Sequence, residues 1–163
     1  MSPSSHTAQL PVRPEPAWKT IIESAAVEVF EMMVGVRLEP MQITTEEPQG
    51  DRTAMVGMAG ALCGMMSVRC SEQTATKLAT LMSDAEAAKN PAMVGDALGE
   101  ICNMIAGNFK SKISSLNDRC MLSVPTFISG EDYVLQPVNP SEGFSVALLF
   151  EGGQVWITMV VHT

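Results

Sequence analysis

The stretch Gly95-Asp96-Ala97-Leu98-Gly99-Glu100-Ile101-Cys102-Asn103-Met104-Ile105-Ala106-Gly107-Asn108 has two faces. Val94, Ala97, Leu98, Ile101, Met104 and Ile105 recur at three- and four-residue steps, the period of a helix laid on a core. Asp96, Glu100, Asn103 and Gly107 recur at the same steps on the other side. Residues three or four apart on a helix are neighbours, so a carboxylate and a carboxamide, Glu100 and Asn103, project the same way. Gly99 and Gly107 flank them without side chains, which leaves room for another surface to approach. An acid that can hold a cation, beside an amide that can orient water, is the start of a hydrolytic site. Spacing alone does not separate this reading from a solvated helix face, on which Glu and Asn are equally at home.

Outward from this helix, expected over Ala92 to Ser115, the chain alternates helical and strand patterns. Trp18, Ile21, Ile22, Ala25, Ala26, Val29, Phe30 and Met33 mark an amphipathic helix, with Gly35 as its C-terminal cap. Val36 to Thr44 reads as a strand, and Glu46 to Asp51 as a turn. Thr53 to Ala59 and Leu62 to Arg69 read as a hairpin about Gly60-Ala61. Ser71 is an N-cap for a helix to about Met82, and Asp84 to Pro91 is a linker. Cys120 to Ile128 is a strand interrupted by Pro125, which belongs at an edge or bend. Tyr133 to Gln136 is a short strand. Phe144 to Phe150 and Gln154 to Val161 form a second hairpin about Glu151-Gly152-Gly153.

The layout contains a repeat. Ser24-x3-Glu28-x2-Glu31-x3-Gly35 matches Asp96-x3-Glu100-x2-Asn103-x3-Gly107. Each helix precedes a strand and a hairpin, and the first hairpin, Thr53 to Arg69, parallels Ser145 to Val161. Two halves of helix plus three strands, joined by the helix from Ser71, make an α+β fold. Its sheet is mostly antiparallel and covered on one face by two long helices. In the first half Glu31 stands where the second has Asn103. A carboxylate cannot donate a hydrogen bond, so the first half reads as a degenerate site.

Asp96-x3-Glu100-x2-Asn103 followed by Pro125, within Gly-Glu-Ile-Cys-Asn-Met-Ile-Ala-Gly-Asn-Phe-Lys over 99–110, resembles the signature of the CheC/CheX/FliY chemotaxis phosphatases. The resemblance spans residues 17 to 163 and is greatest to the CheX type, whose members carry one site. It implies a CheX-like fold and a phosphatase acting on the phospho-aspartate of a CheY-like response regulator. By the same resemblance, Asn103 orients the attacking water and Glu100 pairs with the receiver's lysine. Asp96, Gly99 and Gly107 meet the docked substrate protein, and Pro125 shapes the edge beside the helix. No cofactor is implied on this chain, Mg²⁺ being expected on the receiver. A homodimer with a continuous sheet is also implied. The alternative is a non-catalytic adaptor that docks to receivers or flagellar-switch proteins, and the amide of Asn103 is what argues for the enzyme.

Composition limits the remaining classes. The chain has 163 residues, one domain's worth, and a net charge of −8 with no Lys/Arg cluster. Nucleic-acid binding needs a basic face, so it is excluded, and anionic lipid is disfavoured on the same ground. No apolar run nears the roughly 20 residues that span a bilayer. Met1 to Pro16 is polar and proline-rich, a disordered tail with no signal-peptide pattern, so a cytoplasmic location is expected. Cys63, Cys70, Cys102 and Cys120 form no close ligand pairs, and His6 and His162 lie near opposite termini. No metal site is expected, and the thiols read as buried or neutral.

Overall fold

A computed structural model describes residues 14–42, 50–130, 133 and 141–162 of the chain. Helix α1 (Ala17–Met33) buries Trp18, Ile22, Ala25, Ala26, Val29 and Phe30. It ends where Gly35 turns left-handed, at φ +73°, and its N–H donates to the Phe30 carbonyl over 3.0 Å. Glycine takes that conformation without a Cβ penalty, which is why the helix stops there. The expected strand from Val36 is reduced, among the described residues, to β1 (Glu39–Pro40). Pro40 has no N–H to give to a ladder. Residues 43–49, which hold the rest of that strand and most of the expected turn, lie outside the described residues.

Strands β2 (Arg52–Gly60) and β3 (Gly64–Cys70) form the first hairpin. Helix α2 (Glu72–Met82) follows, with the Thr74 N–H donating to Ser71 Oγ over 3.1 Å, the expected N-cap. A short 3₁₀ turn (Ala87–Lys89) leads to α3 (Pro91–Ser111). Asn90 caps α3 through the Ala92 N–H at 3.0 Å, and Pro91 sits at its first position, where no N–H is needed. The helix ends at Ser111 rather than at Ser115. Lys110 Nζ donates to the carbonyls of Asn117 and Cys120 at 3.1 and 2.7 Å, and Leu116 is buried, so the chain folds back beneath the helix end.

The strand expected over Cys120 to Ile128 with an interruption at Pro125 is split there into β4 (Cys120–Leu122) and β5 (Thr126–Ser129), both paired with β2. Tyr133 is not in a strand, and residues 134–136 of the strand expected there lie outside the described residues, as does the tail through residue 13. Strands β6 (Ser141–Phe150) and β7 (Gly153–His162) close the chain through Glu151-Gly152, both at positive φ. Such two-residue turns match the twist of a hairpin. The first hairpin's turn, Ala61 to Cys63, is longer, so the two hairpins are not residue-for-residue equals.

The sheet is antiparallel throughout, in the order β1-β6-β7-β3-β2-β4, with β5 also on β2. The two halves of the repeat interlock. The first half's β1 pairs with the second half's β6, the second half's β4 and β5 pair with the first half's β2, and β3 meets β7 at the centre. Alternate strand residues, among them Ala54, Val56, Met66, Val68, Leu148 and Ile157, share one core with α1, α2 and α3. Trp18 meets Phe109 edge-on at 5.4 Å, fixing α1 against α3, and Phe30 meets Phe150 at 5.5 Å, fixing α1 on β6. No described helix is long and apolar enough to cross a membrane.

Candidate functional site

Every fourth residue of one α3 face is Gly95, Gly99, Asn103 and Gly107. The β4–β5 segment runs along this row in the opposite direction. A Cβ on Gly95 would lie 2.8 Å from the Phe127 ring, one on Gly99 3.1 Å from Pro125 Cβ, and one on Gly107 3.9 Å from Leu122 Cδ1. The room left by Gly95 and Gly99 is thus filled by the chain's own edge. Gly99, expected to face a substrate protein, is buried under Pro125. Gly107 remains partly open.

Pro125 breaks the ladder beside this row, since it cannot donate to β2. Before the break, Ser123 still holds β2. Its N–H donates to the Gly57 carbonyl at 2.9 Å, and its Oγ accepts from the Gly57 N–H at 2.8 Å. Between Ser123 and Pro125 the chain bows outward, and Val124 is 84% exposed. Pro125 therefore stands at the sheet edge beside α3, against Gly99.

Asp96 and Glu100 are exposed and Asn103 is half-buried. Among the described residues none of these three side chains has a hydrogen-bond or ion-pair partner. The matching carboxylate of the first half differs. Glu28 accepts from Lys112 Nζ at 2.8 Å and from Asn108 Nδ2 at 3.0 Å. The Lys112 hydrogen bond, then that of Asn108, holds the Glu28 carboxyl below its ordinary value. Among the described residues Glu31 reaches only Arg37, at 3.9 Å.

Asn103 also forms part of the wall of an open depression of about 580 Å³ between α1 and α3. Glu28 and Met32 line it from α1, Gly107 from α3, Lys112 from just past its end, and Leu122 from β4. Met32 is 67% exposed. Glu100 and Asp96 lie outside it, on the solvent side of α3.

Cys102, next to Asn103 in sequence, turns the other way. It is buried, its Sγ donates to the Ala54 and Met66 carbonyls at 3.6 Å, and burial pushes its thiol up to about 12. It is a core residue, not a nucleophile. Cys70 is buried and raised to about 12 in the same way, Cys120 is buried, and Cys63 is exposed. Among the described residues no three of His, Cys, Asp or Glu converge to hold a metal ion.

Local sequence pattern does not point to Phe127, Val124 or Met32, and points to Gly95 only through its spacing. The four-residue spacing of Gly95 with Gly99 was a usable signal for a close-packed row. Nothing local marks Val124 or Met32.

Residues 52–149 match the family model described as Chemotaxis phosphatase CheX. Among curated proteins none matches the chain. The fold is similar to that of the chemotaxis protein CheX from Desulfovibrio desulfuricans, at 22% identity over 89% of this chain and 99% of that one, TM-score 0.74. It is similar to CheX from Vibrio vulnificus, at 19% identity over 93% and 100%, TM-score 0.73. It is also similar to a chain of the CheX-CheY-BeF3-Mg complex from Borrelia burgdorferi, at 24% identity over 90% and 98%, TM-score 0.74. At these identities the likeness is one of fold.

Proposed function

Since this chain belongs to the CheX family of chemotaxis phosphatases, we propose that it hydrolyses the phosphoryl-aspartate of a CheY-like receiver with Asn103 and Glu100. The observation that carries this reading is a contrast between two matched helices. Glu100 and Asn103 stand uncommitted on an accessible face, while Glu28 is already held by Lys112 and Asn108.

The chemistry asks little of this chain. An acyl phosphate is a reactive bond, and Mg²⁺ on the receiver neutralises phosphoryl charge. What remains is to hold one water in line with phosphorus, and positioning is the larger part of phosphoryl-transfer catalysis. The Asn103 carboxamide can accept a hydrogen bond from that water and donate one to a neighbouring oxygen. Its neutrality lets it approach the phosphoryl group. The water's oxygen attacks phosphorus, the bond to the aspartyl oxygen breaks, and inorganic phosphate leaves.

Glu100, one turn away, accepts a charge-assisted hydrogen bond from the receiver's lysine and sets the docking register. Asp96 extends the same acidic row and favours a basic approach. Pro125, packed on Gly99, holds the edge that flanks Asn103. A homodimer is part of this proposal.

The direct test is to phosphorylate CheY-type receivers from the same cell with acetyl phosphate and time their dephosphorylation. Faster loss of phosphate with the protein present supports the reading, and unchanged loss for every receiver contradicts it.

A further inference from the structure

We propose that Val124, with Met32 across the α1–α3 depression, forms an apolar clamp on either side of Asn103 that seats on uncharged side chains around the receiver's phosphorylation site. The inference rests on the proposed phosphatase reading and assigns the receiver's footprint on this chain.

The placement follows from the row along α3. Leu122 lies at Gly107 and Pro125 at Gly99, so Val124 lies between them, at the height of Asn103. Met32 borders the depression whose wall contains Asn103, from the opposite helix. Val124 is 84% and Met32 67% exposed. Exposed apolar side chains scattered singly mean little. These two bracket the one carboxamide that has to enter a partner's site, and a body brought to Asn103 has to cover them.

The chemistry gives the clamp a purpose. A single oriented water competes with bulk water unless the interface excludes it. Apolar contacts around a polar centre provide that exclusion, and interface cores favour uncharged residues and Met. The partner is therefore a surface with a lysine for Glu100 and apolar side chains on both flanks. That is one face of a protein domain, not a free phosphate or a small acyl phosphate.

The test uses the full chain with a CheY-type receiver from the same cell, phosphorylated with acetyl phosphate and Mg²⁺. Initial rates are followed against receiver concentration for wild type, Val124→Asp, Val124→Ala, Met32→Ser and Asn103→Ala. Val124→Asp should raise the half-saturating receiver concentration about tenfold, with the saturated rate within about twofold of wild type. Val124→Ala and Met32→Ser should move it the same way by about threefold. Both positions are exposed, so thermal unfolding should match wild type, and Val124→Ala introduces no charge should Val124→Asp fold poorly.

Unchanged half-saturation in the Val124 variants, with Asn103→Ala inactive, would overturn the clamp and leave the phosphatase reading standing. A fall in saturated rate alone would also overturn it, because Val124 would then act on Asn103 and not on docking. Full activity of Asn103→Ala would instead remove the reading on which the clamp rests.

Discussion

Gly99 and Pro125 are in contact across α3 and the broken sheet edge. A β-carbon on Gly99 would stand 3.1 Å from Cβ of Pro125, tighter than side chains normally pack. The glycine and the proline are thus one device. The proline ends the ladder of β4 beside the helix, and the glycine lets that break lie flat next to Asn103.

Gly99→Ala tests the device. Alanine favours a helix interior over glycine by about 1 kcal/mol. Overpacking a filled site costs about 1–3 kcal/mol. The rigid Pro125 ring must give by a few tenths of an ångström, so the contact cost wins, and a net loss of about 1 kcal/mol is expected in denaturant unfolding. The saturated dephosphorylation rate should fall severalfold, because small displacements of a positioning group lower the rate. A variant more stable than wild type and equally active would show that the contact does not position Asn103.

Much of this fold can be read locally. The Ser71 cap, the Gly35 stop, both hairpins and the motif helix follow from cap chemistry and from periods of two and 3.6 residues, which each short stretch carries itself. The interlocking of the halves cannot be read so. Which strand lies beside β2 is settled by contacts with residues 120–129, far along the chain, and no local pattern encodes that choice. The same limit applies at the site. Asp96, Glu100 and Asn103 share a face because helical spacing forces it. The burial of Gly99 under Pro125 and the capture of Glu28 by Lys112 depend on partners that local spacing does not identify.

The capture of Glu28 by Lys112 and Asn108 predicts that the carboxylates of α1 take no part in the hydrolysis, whatever Met32 of the same helix does for docking. Glu28→Ala and Glu31→Ala should leave the dephosphorylation rate within about twofold of wild type. The carboxyl of Glu28 is held below its ordinary value, so its contribution to folding is fully present above the unfolded carboxylate pKa. It fades as pH falls through the lowered native value. Thermal unfolding of Glu28→Ala should therefore lie slightly below wild type at pH 7 and converge with it under acid conditions. Loss of activity in folded Glu28→Ala or Glu31→Ala would mean that these carboxylates, and not Met32 alone, carry α1's part in meeting the receiver.

Glu100 should act on docking and rate together. Glu100→Gln keeps the shape but loses the charge that pairs with a lysine, and truncating one partner of a closed charge pair costs about 2–5 kcal/mol. A titration of initial rate against receiver concentration should show a half-saturation raised about tenfold or more, with a lower plateau. Its side chain is exposed and without a partner among the described residues, which predicts no loss of stability. An unchanged curve would remove Glu100 from the interface.

Orientation of the attacking water by Asn103 is read from the saturated dephosphorylation rate of Asn103→Ala against wild type on one phosphorylated receiver. Asn103 is half-buried and without a partner among the described residues, so unfolding free energy should change by under about 0.5 kcal/mol. The rate should fall by about 10²–10³, the usual cost of losing one preorganised polar group. A folded Asn103→Ala protein that dephosphorylates the receiver at the wild-type rate would contradict the account.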